Sequence, residues 1–305
     1  MIMAFVPISD EELAQRVAEA KKVLASCTLC PRECRVNRSE GERGFCGGGV
    51  LARVASYNSH FGEEPPISGD RGSGTVFFSG CTLRCLFCQN YPISQFREGR
   101  EVTSIELSRM FLKLQDDGCH NINFVTPTHF VPQILEALLL AKSKGLTLPL
   151  VYNTSGYERV ETLKFLEGVV AIYLPDLKYG DDIAGQEISG VNNYFTFAGT
   201  ALKEMFRQAG LLKVDRKGAA REGLIVRHLI LPDNLSTTDK VLRFLAKEVS
   251  PEVTISLMAQ YFPAHKAVSY PHLNRRVSSS EYSGMVKLAQ DLGLHNLFIQ
   301  EICEN

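Results

Sequence analysis

Cys81, Cys85 and Cys88 stand three and two residues apart in the stretch Ser79-Gly80-Cys81-Thr82-Leu83-Arg84-Cys85-Leu86-Phe87-Cys88-Gln89-Asn90. Three thiols on so short a loop must face one point, and a thiolate is a metal ligand. Structural zinc takes four ligands in a closed tetrahedron, so a three-cysteine knuckle would need a histidine to complete it. An iron–sulfur cube held by three cysteines instead leaves one iron open to a ligand that is not protein. Chemistry would occur at that vacancy.

Four more cysteines, Cys27, Cys30, Cys34 and Cys46, lie in a second short stretch with Gly41, Gly44 and Gly47-Gly48-Gly49 to permit tight turns. The stretch has almost no hydrophobic periodicity, which reads as a small module stapled by metal. Zinc and a second iron–sulfur cluster both suit such a set, and four reduced cysteines without metal are the plain alternative. Cys119 and Cys303 are isolated and read as core packing.

The elements that must position these thiols follow a regular order. Ser9-Asp10-Glu11-Glu12 predicts a capping box and a helix to about residue 25, with Leu13, Val17, Ala20 and Leu24 on one face. Residues 50–74 read as a connector: 53–57 is a short strand candidate, and the polar, turn-rich stretch from His60 to Pro66 follows. His60 is there either a surface residue or one that faces the metal region. Strands are then expected at 75–79, 122–125, 148–152, 169–174, 224–231, 253–258 and 297–302, and helices at 103–118, 131–144, 157–166, 194–208, 238–248 and 280–292. Strands alternating with helices imply an α/β fold with a parallel sheet and right-handed crossovers. Two regions are expected, 1–70 with the N-terminal helix, the four-cysteine module and the connector, and 71–305 with the strand–helix repeats.

In a barrel of parallel strands, functional side chains sit at the C-terminal strand ends. Those ends carry Thr126-Pro127-Thr128-His129, Asn153-Thr154-Ser155, Asp176-Leu177-Lys178, Arg227-His228 and a loop reaching His265. Such a ring of donors and acceptors suits a zwitterionic nucleoside.

A formal net charge of −1 offers no electrostatic case for nucleic acid or an anionic membrane as the main partner. The first seven residues lack the basic start and long apolar core of a secretory signal, and no later run reaches the length of a membrane span, so a cytoplasmic location is expected. Nine cysteines in that compartment argue for metal or redox centres over disulfides.

The Cys-x3-Cys-x2-Cys pattern, with Phe87 just before the third cysteine, resembles the signature of radical S-adenosylmethionine (SAM) enzymes. Gly80-Cys81 before it and Asn90 after it are similar to the branch of pyruvate formate-lyase-activating enzymes and their relatives with an extra cysteine-rich N-terminus. The resemblance spans residues 27–265. It implies a partial (β/α)6 barrel, here with one appended C-terminal strand, and a [4Fe-4S] cluster on Cys81, Cys85 and Cys88. In that family the cluster binds SAM, whose one-electron cleavage gives a 5′-deoxyadenosyl radical that abstracts hydrogen from a substrate.

Carried onto this chain, the resemblance implies that Phe87, Thr126, Asn153, Asp176, Lys178 and Arg227 line the SAM site, with Lys178 and Arg227 countering its carboxylate. Residues 126–128 stand where the family has a Gly-Gly-acid turn, and the strand Gly74-Thr75-Val76-Phe77-Phe78 lacks the basic residue that activating enzymes carry. A flavodoxin or ferredoxin is the implied electron donor, and a glycyl-radical protein the implied partner. A different protein, a peptide or a small molecule is the alternative substrate. A non-catalytic zinc or electron-transfer iron–sulfur protein is the alternative from another class.

Overall fold

The computed structural model describes residues 8–301. The first seven residues, with the signal reading made on them, and Cys303 lie outside this range. Ten strands are described: β1 (Ala52–His60), β2 (Ser73–Phe78), β3 (Arg100–Val102), β4 (Ile122–Val125), β5 (Leu150–Thr154), β6 (Ile172–Pro175), β7 (Lys213–Val214), β8 (Ala220–Leu229), β9 (Thr254–Met258) and β10 (Leu297–Ile299). Their order is β10-β9-β8-β6-β5-β4-β2-β1-β3, with β7 as a short hairpin partner of β8.

Among the described residues, β2, β4, β5, β6, β8, β9 and β10 run parallel, each beside its predecessor in that series. This is the winding that strand–helix alternation requires when each crossover is short and right-handed. The sheet ends at β10 on one side and at β3 on the other, so it is an open, partial barrel. No helix among the described residues is long and apolar enough to cross a membrane.

Local chemistry accounts for the helices on its outer face. Thr103 and Glu106 cap the helix Ser104–Asp116 reciprocally, and its buried Leu107, Met110, Phe111 and Leu114 face the sheet. Ser278 and Glu281 do the same for Ser279–Asp291. At the N-terminus Ser9 accepts from the Glu12 amide, 3.0 Å, but the reciprocal half of the expected box is missing because Glu12 binds Arg16 at 2.5 Å instead. That helix, Asp10–Lys22, packs on the helix Val131–Lys142, and Leu13, Val17 and Ala20 join the barrel's core.

The connector is in large part β1, which pairs antiparallel with β2, so the sheet takes in residues before 70. The four-cysteine stretch has only a small cluster of its own in Leu24, Cys27 and Leu29, so it leans on the barrel: Thr162 Oγ1 donates to the Leu29 carbonyl, 2.8 Å, and Arg32 Nε to that of Thr82, 2.5 Å. The helix Asp182–Ser189, the edge strand β3 and the β7 hairpin have no clear sequence signal, being short and set by their neighbours.

Candidate active site

The loop after β2 starts at Gly80, whose φ of +88° suits glycine. From there Cys81, Cys85 and Cys88 all open on one cavity of about 690 Å³, within the size range of small-molecule sites. All three are free thiols. Each sulfur has a donor beside it: the Leu83 amide donates to Cys81 Sγ at 3.4 Å, Ser189 Oγ to Cys85 Sγ at 2.9 Å, and Ser94 Oγ lies 3.1 Å from Cys88 Sγ. Burial pushes the Cys81 thiol up to about 12 and that of Cys85 to about 11. Three thiols open to one cavity, each with a donor beside its sulfur, are what a cluster-bearing loop provides, so the three residues fit an iron–sulfur group.

The residues expected in the site gather around this cavity. Phe87, Thr126, Asn153, Asp176, Lys178 and Arg227 all line the same cavity. Phe87 is held by an edge-on ring contact with Tyr261, centroids 5.6 Å apart. Thr126 takes a φ of +58°, a conformation usually left to glycine. Lys178 Nζ lies 2.5 Å from Asp176 Oδ2. Burial works against the Lys178 charge, but Asp176 and Cys85 outweigh it and hold the ammonium above its usual range. The Tyr194 hydroxyl fixes this triplet, accepting from the Lys178 amide at 2.8 Å and lying 2.9 Å from the Asp176 carbonyl.

Arg227 departs from its expected part. Its guanidinium is engaged by Glu64, at 2.6 and 2.8 Å, and by Glu63, and it lies 3.4 Å from Asn153 Oδ1. Burial opposes the Arg227 charge, and the two carboxylates more than restore it. Two carboxylates on one cation leave it no surplus positive charge for a ligand. These glutamates belong to the turn-rich stretch after β1, which enters the barrel from its N-terminal end. An acidic pair followed by Pro65-Pro66 was the available signal, but nothing in the sequence names a partner 163 residues away.

His60 also lines the cavity, packed edge-on to Phe77, whereas His265 stacks on Tyr91 with centroids 4.6 Å apart and does not line it. Leu297, Phe298 and Ile299 do, so the C-terminal strand is a wall of the site and more than an appendage. Sequence reasoning also missed Glu158, fully buried behind the β4 and β5 ends. Its Oε1 accepts from the hydroxyls of Thr128 and Thr154, and burial raises its carboxyl to about 7 against those stabilising bonds. Cys119 is core, as expected, 3.1 Å from Ser59 Oγ.

Cys27, Cys30, Cys34 and Cys46 converge on a separate small cavity, shared with Arg32, Arg38, Phe45 and His129. Burial raises the Cys30 and Cys46 thiols. Among the described residues, no three or more His, Cys, Asp or Glu side chains are grouped as a site for one metal ion.

A sequence model of the radical SAM superfamily matches residues 75–245. An uncharacterized protein of Methanocaldococcus jannaschii is 33% identical over 296 residues, which are 93% of this chain and 80% of that protein. Similar solved structures include the [FeFe]-hydrogenase maturase HydG from Carboxydothermus hydrogenoformans, with a TM-score of 0.49 at 13% identity over 73% of this chain and 51% of that one. Streptococcus suis SuiB bound to S-adenosylmethionine gives a TM-score of 0.47 at 11% identity over 70% and 45%. The chain spans less than half the length of the SuiB chains it matches.

Proposed function

We propose, from the premise that this chain belongs to the radical SAM superfamily, that its open cavity binds SAM beside a [4Fe-4S] cluster on Cys81, Cys85 and Cys88 and directs the resulting radical at a glycyl-radical protein. The observation that carries this reading is the convergence of three thiols and the Thr126, Asn153, Asp176 and Lys178 ring on one cavity. When bound, the cluster supplies the single electron that splits SAM into methionine and a 5′-deoxyadenosyl radical.

The chain's own groups do the rest. Lys178, oriented by Asp176 and by the Tyr194 anchor, presents ammonium protons to the SAM carboxylate. The Thr126 backbone and the Asn153 amide offer polar contacts to its amino group. Phe87, Leu229, Met258 and Phe298 make a drier wall that keeps water from the radical. Arg227, held by Glu63 and Glu64, shapes the bottom of the cavity. A flavodoxin or ferredoxin would deliver the electron.

A second reading of the substrate, as another protein, a peptide or a small molecule, is favoured by Phe77. It lines the cavity from β2, the strand in which activating enzymes carry a basic side chain. Anaerobic reconstitution with iron and sulfide, then assay of 5′-deoxyadenosine from SAM, tests the shared core of both readings. Cleavage should be abolished by Cys81→Ala, Cys85→Ala or Cys88→Ala, and its survival in any of the three rejects the assignment. Presenting a glycyl-radical protein and following its radical by electron paramagnetic resonance separates the two substrates.

A further inference from the structure

We propose that the exposed face around His265, with the rings of Tyr91, Phe96, Phe262 and Tyr270 and the cations Lys266 and Arg276, is where the electron donor docks, and that this donor is a one-electron carrier with an acidic face. This rests on the reading of the three-cysteine site given above and places a partner that the reading leaves unplaced.

The first ground is position. The Lys266 and Ala267 amides both donate to the Leu86 carbonyl, at 2.9 and 3.0 Å, and Gln95 Nε2 donates to the Cys85 carbonyl at 3.0 Å. The loop after β9 and the turn after Cys88 are thereby fastened to the backbone of the three-cysteine loop. Tyr91 joins the two, its ring stacked on His265 and edge-on to Phe96 with centroids 5.4 Å apart. Ser94, on the same short helix (Tyr91–Ser94), lies 3.1 Å from Cys88 Sγ. Yet Tyr91, Phe96, Phe262, His265 and Tyr270 do not line the cavity. A substrate has to enter the cavity to meet a radical, whereas an electron needs only to reach the loop, so this face suits the donor.

The second ground is exposure and charge. Phe96 is 65% exposed, and Phe262, Val268 and Tyr270 are exposed as well. Water-facing rings grouped with basic side chains mark a protein contact. No Asp or Glu stands between Asp70 and Glu98 or between Glu252 and Glu281, the two stretches that build the face. Arg275 is engaged by Asp233 at 2.5 Å and Glu281 at 2.7 Å, and Arg97 is followed by Glu98. Arg276 lies over the Phe262 ring, 5.9 Å from its centroid, and among the described residues neither it nor Lys266 has a carboxylate partner. Two uncompensated cations among exposed rings complement carboxylates on the partner.

The electron balance fixes the partner's class. One electron leaves the reduced carrier, which is oxidised by one electron, and is consumed when the carbon–sulfur bond of SAM breaks. Methionine leaves, and the 5′-deoxyadenosyl radical is the other product. The oxidised carrier must then depart, which suits a small contact steered by charge.

The test compares the reconstituted wild-type chain with Lys266→Glu/Arg276→Glu, and with Lys22→Glu/Arg109→Glu on two outer helices as a control of equal charge change. SAM cleavage is driven by dithionite or by a reduced acidic flavodoxin or ferredoxin, and binding of each oxidised carrier is measured by calorimetric titration. Wild-type carrier affinity should fall at least about tenfold between about 0.05 and about 0.5 M salt. The reversal should weaken carrier binding and raise the carrier KM at least about tenfold, with dithionite-driven cleavage, SAM affinity and iron per chain unchanged. The control should match the wild type. Lys266→Gln/Arg276→Gln should show a smaller effect of the same sign, and it decides if the reversal does not fold.

Carrier binding and KM untouched by the reversal, an equal loss in the control, or wild-type binding indifferent to salt overturns the proposal. Loss of binding to a glycyl-radical protein with carrier binding kept would assign the face to the substrate, and a wild-type dimer that the reversal dissolves with carrier binding kept would assign it to a second copy; either overturns it. Absence of dithionite-driven SAM cleavage from the wild type defeats the earlier reading instead, and the titrations still decide the docking face.

Discussion

Replacing Arg227 with leucine should cost the fold about 3–5 kcal/mol, because it strands buried carboxylates that have no other cation among the described residues. The side chains of Arg227, Glu63 and Glu64 are only 13%, 7% and 6% exposed. Glu64 spends both oxygens on the guanidinium, and Glu63 has Asn123 Nδ2, 3.0 Å away, as its other described partner. At about 2.1 cal/mol/K per residue for a chain this long, the loss corresponds to a fall in Tm of about 5–8 °C.

The pH dependence gives the sign. In the wild type, burial alone would raise the Glu64 carboxyl, but Arg227 holds it below its ordinary value of 4.5. That stabilisation is present above pH 4.5 and is lost as pH falls through the lower native value. In Arg227→Leu burial acts unopposed, so the deficit should be largest near pH 8 and shrink toward pH 5 as the native state takes up a proton. Urea unfolding followed by circular dichroism at both pH values measures this, and adding Glu63→Gln and Glu64→Gln should recover most of the loss. Should Arg227→Leu unfold like the wild type at both pH values while SAM affinity collapses, Arg227 serves the ligand and the reasoning from its ion pairs is wrong.

Asp176→Ala and Lys178→Ala should each weaken SAM binding by roughly tenfold to a hundredfold, about 1.5–3 kcal/mol, with iron content unchanged; calorimetric titration of the reconstituted protein checks this, and undiminished affinity in both rejects their role. Glu158, raised mainly by burial from 4.5 to about 7, should make the native state lose up to roughly 3 kcal/mol as pH rises from 4.5 through 7, with the loss complete above 7. Glu158→Gln should flatten that dependence in urea midpoints taken at pH 5 and 8, and a parallel profile would mean that the carboxyl does not titrate there. Gly80→Ala forces a methyl group against the Cys46 carbonyl at a positive φ, so strain of about 1–3 kcal/mol should loosen both cysteine loops and lower iron per chain. Wild-type iron content and Tm in that variant would show that the loops do not need their close contact.

Sequence alone determined the parts of this protein whose physics is local. Three thiols within eight residues must share a centre, the capping pair Thr103 and Glu106 starts its helix whatever lies beyond, and alternating apolar strands and helices admit few windings other than the parallel sheet observed. The strand-end rule was enough to bring Thr126, Asn153, Asp176 and Lys178 to one cavity, because parallel strands deliver all their C-terminal ends to the same side. Partnership across long separations was decided only by the tertiary structure. Arg227 is a ligand-facing cation by its place in a strand, yet Glu63 and Glu64, which carry no periodic signal, reach it across 164 and 163 residues and take its charge. Likewise the two cysteine sets read as separate units along the chain, and only folding presses Cys46 against Gly80 and spans them with Arg84. The reason is that propensity, capping and periodicity act within a few residues, whereas burial of a charge or an approach of two backbones depends on where the whole sheet carries each segment.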